Sequence, residues 1–358
     1  MPKPFLNTGI LFSLLLIMAV YSSASMSSEQ KGEFLGAMET EYPAWFKESF
    51  LDFNEDIEEA TQHKKRIMLL FYQAGCPYCN ALVNRNLSQK DIETTVKENF
   101  DVIAINMWGD RELTYIDGKS YTEKTLAEAL KVQFTPTTLF YNENGKIVLR
   151  LNGYREPRRF KVDIDYVAKR KENDISYREY VKANLPSKKS DKSLHHEDFF
   201  SPAPHDLTVT QGKSDKPIAV FFEQKDCPNC DLLHTKVLPD KGTREIISNF
   251  KTVQLDMWSN TPITTPSGEK TTVKEWANQL DIKYAPSIVV FNKEGKEVIR
   301  SEAFFKVFHT QGILTYVLSE KYKEQPSFQR YLTEKADHLR EQGQNVNIWG
   351  YAGEKNKP

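Results

Sequence analysis

Apolar and polar positions follow the same pattern twice along the chain, about 150 residues apart. In the first copy, mostly apolar runs at 66–72 and 101–107 predict buried strands. Asn144-Gly145 between two further apolar runs predicts a hairpin of strands 137–141 and 146–151. Apolar residues at helical spacing predict amphipathic helices around these strands. The predicted helices of this copy are 45–62, 81–87, 88–100, 120–130 and 156–169.

The second copy repeats the order of these elements and their short motifs. Cys-Pro-Tyr-Cys at 76–79 corresponds to Cys-Pro-Asn-Cys at 227–230, and Met-Trp at 107–108 corresponds to Met-Trp at 257–258. Strands that alternate with helices predict the α/β class. A repeat of this length indicates a duplicated domain, because solenoid units are much shorter. We place the domains at 40–185 and 205–350, joined by a polar linker at 186–204.

The first 25 residues differ from the rest of the chain. Lys3 precedes an apolar run at 9–20, and small residues follow at 22–25, which is the order of a secretory signal peptide. An uncleaved membrane anchor is the alternative, but a spanning helix needs about 20 apolar residues and this run is shorter. We therefore expect a signal peptide at 1–25, cleaved after Ala24 or Ser25, and an exported mature protein.

Composition narrows the range of partners. Of the 358 residues, 39% are apolar and 27% are charged, as in soluble globular proteins, and the formal net charge is -1. This balance offers no basic surface that would favour nucleic acid. No later segment is long and apolar enough to span a bilayer, so we expect no stable membrane insertion after cleavage.

All four cysteines lie in the two C-P-x-C motifs. Disulfide exchange needs a thiolate that attacks and a nearby thiol that resolves the mixed disulfide. At the start of a helix, unpaired backbone N–H groups and the helix dipole favour a thiolate, and proline fits the first turn. The predicted catalytic residues are Cys76, Cys79, Cys227 and Cys230.

A second part of each predicted site is a proline about sixty residues after the first cysteine, just ahead of a strand and a hairpin. This position predicts a cis-proline loop that faces the thiols. A cis X-Pro bond leaves the preceding backbone free to pair with an incoming peptide. The predicted substrate-binding residues are Thr135, Pro136, Ala285 and Pro286, together with Pro77, Tyr78, Pro228 and Asn229 between the cysteines.

Two other interpretations of the cysteines stay open. The four thiolates could bind one zinc ion between the domains, since zinc sites use the same spacing, or the pairs could be inert structural disulfides. Against both, the order of strand, C-P-x-C motif and helix occurs twice, each time followed by proline, strand and hairpin. We therefore predict two redox sites without a metal.

At these residues the chain resembles the thioredoxin superfamily, and more closely the periplasmic thioredoxin-related proteins typified by SoxW of sulfur-oxidising bacteria. The resemblance covers roughly 45–182 well and 205–350 as a diverged copy. It is carried by Gly-Cys-Pro-Tyr-Cys at 75–79, Met-Trp-Gly-Asp at 107–110, Phe-Thr-Pro-Thr at 134–137 and Gly-Tyr-Arg at 153–155.

The resemblance implies two tandem thioredoxin-like domains, each with a central mixed sheet flanked by helices. It also implies dithiol–disulfide exchange without an organic cofactor, with Cys76 and Cys227 as nucleophiles and Cys79 and Cys230 as resolving thiols. The function that it favours is a periplasmic reductase that acts on protein thiols and disulfides and is fed by a membrane electron donor. A disulfide oxidase or isomerase, and a thioredoxin-fold binding or chaperone module, are the alternatives.

The chain departs from the family pattern near both motifs. Leu70 and Phe221 stand where cytosolic thioredoxins usually have a buried Asp, so proton transfer to the second cysteine must use water or another group. Asp226 should slightly disfavour the thiolate of Cys227. In the second copy, Ala-Phe at 303–304 replaces Gly-Tyr at 153–154.

Several other side chains have two possible roles. His234, one turn after Cys230, is expected on the helix surface, and His195 is expected to be solvated in the linker. Trp108 and Trp258 follow strands near the predicted active face, where they either line the substrate groove or pack half-buried. Near the C-terminus, residues 327–342 predict an amphipathic helix, and 346–349 are expected to dock back on the second domain.

Overall fold

Two α/β domains with the same topology make up the protein in the computed structural model, which describes residues 31–185, 193–209, 214–351 and 354. The predicted signal peptide and residues 186–192 of the predicted linker lie outside the described residues. None of the described helices combines the length and the apolar composition that crossing a bilayer requires.

The first domain is built around a four-stranded sheet. Its elements are β1 (Phe34–Leu35), α1 (Phe53–Gln62), β2 (Arg66–Tyr72), α2 (Pro77–Ala81), α3 (Lys90–Asn99), β3 (Phe100–Asn106), β4 (Glu112–Thr114), β5 (Ser120–Thr122), α4 (Glu123–Ala129), β6 (Thr137–Tyr141), β7 (Ile147–Asn152), α5 (Pro157–Ala168) and α6 (Tyr177–Asn184).

The sheet of this domain has the order β3-β2-β6-β7, with β2 parallel to β3 and β6 antiparallel to both of its neighbours. Alternate residues of β2 point to opposite faces. Met68 and Leu70 pack on the side of α3 and α5, whereas Leu69 and Phe71 pack on the side of α1 and α4. The predicted mixed sheet flanked by helices is therefore confirmed.

The second domain repeats this architecture, with the sheet order β10-β9-β13-β14. Its elements are β8 (His205–Asp206), β9 (Ile218–Glu223), α7 (Pro228–Leu232), α8 (Lys241–Ile247), β10 (Lys251–Asp256), β11 (Pro262–Thr264), β12 (Lys270–Thr272), α9 (Val273–Gln279), β13 (Ser287–Phe291), β14 (Glu297–Ser301), α10 (Val307–Leu318), α11 (Phe328–Glu341) and β15 (Val346–Asn347).

Three predicted helices differ from the observed ones. Helix 45–62 begins only at Phe53, because Leu51 has a positive φ of 65° and the Asp52 side chain accepts the backbone N–H groups that open α1. Residues 120–122 pair with β4 as β5, so α4 begins at Glu123. The segment 82–87 is a π-helical turn that continues α2.

The later half of the predicted linker packs against the second domain. The backbone N–H of Ser201 donates to the carbonyl of Thr252, and the ring of Phe200 lies 5.1 Å from that of Phe221. Residues 193–204 thus form part of the second domain's surface, because their aromatic side chains cover the end of its core.

The chain's C-terminal segment, which we define as residues 343–351, reaches across to the first domain. Strand β15 pairs in parallel with β1, and the Trp349 ring packs against Tyr78 at a centroid distance of 4.7 Å. The predicted amphipathic helix is confirmed as α11. Val346 and Ile348 pack with α11 in the core of the second domain, as expected, and Trp349 in addition contacts the buried Tyr78 ring of the first domain.

Candidate active sites

Each C-P-x-C motif opens a helix and holds a disulfide, Cys76–Cys79 in the first domain and Cys227–Cys230 in the second. The backbone N–H of Cys79 lies 3.0 Å from Sγ of Cys76, and that of Cys230 lies 3.1 Å from Sγ of Cys227. After reduction these N–H groups point at the sulfur that carries the negative charge of a thiolate. Each sulfur is bonded to its partner within the same domain.

The predicted proline loops face these sulfurs, and both X-Pro bonds, Thr135-Pro136 and Ala285-Pro286, are cis. Sγ of Cys76 lies 3.6 Å from the carbonyl oxygen of Thr135. The Thr135 hydroxyl donates to the same sulfur over 3.4 Å. Sγ of Cys227 lies 3.5 Å from the carbonyl oxygen of Ala285. The structure thus brings each proline loop together with its own first cysteine.

The two domains pack against each other through the faces that carry these sites. Phe305 of the second domain stacks on Phe134, next to the first proline loop, at 5.1 Å. At the corresponding positions, the Arg155 guanidinium lies 4.1 Å from the ring of Tyr284, next to the second proline loop. Each loop is therefore covered by the residue that follows the other domain's hairpin.

A reciprocal pair of helices extends this interface. The Arg330 guanidinium from α11 lies 4.9 Å from the Trp108 ring, and the Arg178 guanidinium from α6 lies 4.5 Å from the Trp258 ring. Both indoles are half-buried, and each N–H donates to a glutamine of its own domain. The two tryptophans therefore take part in packing between the domains.

The first site is closed to solvent. Tyr78 is 3% exposed, and its hydroxyl accepts the backbone N–H of Lys306 over 3.0 Å. The rings of Phe305, His309 and Trp349 surround the Tyr78 ring, with centroids at 5.3, 5.2 and 4.7 Å. All of these neighbours belong to the second domain or to the C-terminal segment. An incoming polypeptide would have to displace them.

The terminal arm, which we define as residues 31–39, covers the same loop from the other side. Met38 donates its backbone N–H to the carbonyl of Gly75 over 3.2 Å, and the Asn80 side chain donates to the carbonyl of Glu39 over 2.8 Å. The arm is held in turn by β15, because β1 forms part of it. The first C-P-x-C loop is thus enclosed by segments from both ends of the described chain.

The second site is more open. Pro228 is exposed and Asn229 is half-buried, whereas Pro77 and Tyr78 at the corresponding positions are buried. Asn229 donates to the hydroxyl of Tyr284. Cys227 itself is 5% exposed, since its sulfur lies under the proline loop. An external substrate meets less protein at this loop than at the first one.

A buried ionic cluster lies behind the second site, where the sequence predicted a surface histidine. The His234 ring is buried between two carboxylates, with Glu223 at 3.0 Å and Glu197 at 2.9 Å. Burial alone lowers the pKa of His234, but the two carboxylates outweigh burial and raise the pKa above its usual value. The prediction of an exposed His234 is therefore wrong, because Glu197 from the predicted linker folds over it.

His195 was predicted to be solvated; its side chain is 38% exposed, and it also packs on this cluster. Its ring stacks on that of His234 at 4.5 Å, and Nε2 lies 2.6 Å from an Asp231 carboxylate oxygen. Glu223 ends the apolar strand β9 on the same face as Phe221, so a buried carboxylate stands two residues after the position where the family pattern has one.

The sequence contained a signal for the buried pair of Glu223 and His234, which the sequence analysis did not predict. Glu223 is a charged residue at the end of an apolar run, and His234 follows Cys230 by four residues, on the same helix face. For the packing of the two domains on each other, the sequence contained only a weaker signal. The replacement of Gly-Tyr at 153–154 by Ala-Phe at 303–304 indicated divergence, but both pairs lie at the interface.

Comparison with known proteins agrees with this geometry. A family model described as a thioredoxin-like domain matches residues 53–168 and 203–311, which is more than half of the chain. No curated protein matches the chain in sequence.

Three solved structures illustrate the similarity. A thioredoxin-fold protein from Helicobacter pylori is 23% identical and matches over 34% of this chain and 85% of its own, with a TM-score of 0.29. A thioredoxin from Thermus thermophilus is 24% identical and matches over 33% of this chain and 84% of its own, with a TM-score of 0.26. The first two thioredoxin domains of Saccharomyces cerevisiae Eps1p are 16% identical and match over 73% of this chain and 95% of their own, with a TM-score of 0.24. The resemblance to SoxW stays a prediction. The two matched regions show that the chain belongs to the thioredoxin-like domain family, of which it contains two tandem copies.

Proposed function

We propose that the protein is a periplasmic thiol–disulfide oxidoreductase that reduces disulfides of exported proteins. One observation carries this proposal: in both domains a C-P-x-C pair opens a helix, with its first sulfur within 3.6 Å of the carbonyl oxygen before a cis-proline. Inert structural disulfides would not need that carbonyl, which is the group that pairs with a substrate backbone.

The reaction at each site follows from these contacts. In the reduced protein, the thiolate of Cys76 or Cys227 attacks a substrate sulfur, the substrate S–S bond breaks, and the released thiolate takes a proton from water. The second cysteine of the pair then attacks the first, and this step releases the other substrate thiol and leaves the protein disulfide. Two electrons pass from the dithiol to the substrate.

The direct test is reduction of insulin disulfides, with dithiothreitol as the electron source. We expect wild-type protein to accelerate the reaction and the double variant Cys76→Ser/Cys227→Ser to lose the acceleration. Cys227→Ser alone should cost more activity than Cys76→Ser alone, because the second loop is the more open one. Full activity in the double variant would contradict the redox function and favour a thioredoxin-fold binding or chaperone module.

The direction of electron flow has its own measurement. Equilibration of each cysteine pair with glutathione gives two reduction potentials. Potentials near about -270 mV would support the reductase, and potentials near about -120 mV would favour the oxidase or isomerase alternative. A membrane protein that donates electrons is the partner expected for the reductase, and export by the predicted signal peptide would bring the two together.

A further inference from the structure

The two redox sites differ in the charge that the opposite domain places against their proline loops. Arg155 precedes α5 as Phe305 precedes α10, and Arg159 and His309 lie in the first turns of these two helices. His309 is buried, and burial lowers its pKa to about 4, so its ring is neutral at neutral pH. The second loop therefore faces two guanidinium groups, where the first loop faces a phenyl ring and a neutral imidazole.

No carboxylate pairs with the Arg155 guanidinium in the part of the chain that the structure describes. The residue is 3% exposed, and its guanidinium lies 4.1 Å from the ring of Tyr284. Nη1 donates to the carbonyl of Asn152 over 3.1 Å, and Nε has no hydrogen-bond partner among the described residues. Arg159, by contrast, is paired with the buried Asp163 at 2.9 Å. An arginine stays protonated in proteins, so Arg155 brings a buried positive charge to the second proline loop.

A short series of contacts connects this charge with the sulfur of Cys227. Tyr284 immediately precedes Ala285, whose carbonyl oxygen lies 3.5 Å from that sulfur. Arg159 holds the same loop against the first domain, because it donates to the carbonyl of Lys283 over 2.9 Å. An electrostatic effect needs no direct contact, since buried charges about 10 Å apart still interact and are screened less by salt than exposed ones.

We propose that Arg155 of the first domain is a positioning residue of the second redox site, where its charge stabilises the thiolate of Cys227 across the domain interface. The inference rests on the proposed redox function and deepens it. The thiolate occurs only in the reduced pair, so a nearby cation favours the dithiol over the disulfide. Asp226, next to Cys227, acts in the opposite sense, and Glu156, next to Arg155, is exposed to solvent. The arginine thus makes the 227–230 disulfide easier to reduce.

The first measurement is the redox equilibrium of each cysteine pair with glutathione. The dithiol gives two electrons and two protons to one oxidised glutathione, which becomes two thiols while the protein forms its disulfide. Full-length protein is quenched with acid and alkylated, and mass spectrometry reads both pairs in the same sample. At about pH 7.5, we expect Arg155→Gln to raise the equilibrium constant for oxidation of the 227–230 pair about three- to tenfold. The constant of the 76–79 pair is the internal control and should not change.

Two further variants separate the charge of Arg155 from its packing. Arg155→Lys keeps the charge but loses the planar group that stacks on Tyr284, so both constants should stay within about twofold of the wild type. Arg158→Gln removes the same charge from an exposed position on α5 and should leave both constants unchanged.

The second measurement is the alkylation rate of Cys227 in the reduced protein at about pH 6, divided by its rate at about pH 9. The ratio reports the thiolate fraction, because the accessibility of the sulfur divides out. Arg155→Gln should lower it about three- to tenfold, and Arg155→Lys should keep it.

Unchanged values in Arg155→Gln, or equal changes in Arg155→Gln and Arg155→Lys, would overturn the inference and leave the redox function standing. If neither cysteine pair of the wild type exchanges with glutathione, the redox function fails, and this inference with it.

Discussion

Two histidines show how the environment of a single residue sets its response to pH. His234 lies between carboxylates, and its raised pKa means that its contribution to stability is complete below its ordinary value of 6.5 and is lost as the pH rises through the folded-state pKa. His309 lies among Tyr78, Phe305 and Phe308. Its Nδ1 has no hydrogen-bond partner in the described part of the structure, and burial lowers its pKa to about 4.

We predict that His309 makes the protein less stable in acid. Unfolding exposes the ring and returns its pKa to about 6.5, so the unfolded state binds an extra proton between about pH 6.5 and pH 4. The free energy of unfolding should fall by about 1–3 kcal/mol over that range because of this one residue. Urea unfolding at several pH values measures it. His309→Leu should remove the component, and parallel pH profiles for the two proteins would contradict the prediction.

At the scale of the elements, the terminal arm and the C-terminal segment cover the first redox loop, whereas Pro228 in the second redox loop is exposed. The Trp349 ring packs on Tyr78, and β15 holds β1 in place beside the same loop. The two C-P-x-C motifs therefore differ in accessibility more than their sequences indicate, although both open a helix in the same way.

We predict that Trp349→Ala exposes the first site selectively. An aromatic contact of this kind is worth about 0.5–1.5 kcal/mol beyond burial, so the alkylation rate of Cys76 in the reduced protein should rise about two- to tenfold. The rate of Cys227 is the internal control and should not change. Trp45→Ala removes a half-buried tryptophan that does not contact Tyr78, and it should leave both rates alone. An unchanged Cys76 rate in Trp349→Ala would show that the segment does not limit access.

The elements themselves were largely predictable from the sequence. The strands that form both sheets follow from apolar runs, and the Asn144-Gly145 turn fixes the hairpin β6–β7. Helix starts were less accurate, since the end of helix 45–62 was correct and its start was not. The start depends on the backbone of Leu51 and the capping side chain of Asp52, which the apolar periodicity does not report.

On the scale of the whole molecule, the packing of one domain on the other could not be predicted. Its contacts join positions far apart in the chain, such as Asn152 with Glu302 at 2.9 Å, and neither residue belongs to a motif that marks it as a contact between domains. The burial of His234 could not be predicted for the same reason, since Glu197, which covers it, lies far from it in sequence and in the predicted linker. The cysteine pairs and the proline loops were predictable, because local spacing determines them.

We predict that Gly153→Ala weakens the docking of the two domains. Gly153 has a φ of +81°, and a Cβ there would lie 2.6 Å from Cβ of Ala303. Small-angle scattering should show a larger radius of gyration, and Cys227 should be alkylated faster. Gly118→Ala is the matched control, because Gly118 has a φ of +74° and a Cβ there would meet nothing within 4 Å. Identical scattering curves for Gly153→Ala and Gly118→Ala would refute the prediction.

The two domains are connected at two places. The polypeptide joins them between the domains, and the backbone hydrogen bonds of β1 with β15 join them a second time. A body tethered at two points cannot swing about a single hinge. Separation of the redox faces must either rotate about both tethers or unzip the strand pair, so fraying of the ends and exposure of Cys76 are thermodynamically linked. A molecule that binds β1 or β15 and separates them would therefore raise the solvent exposure of the first disulfide without touching it.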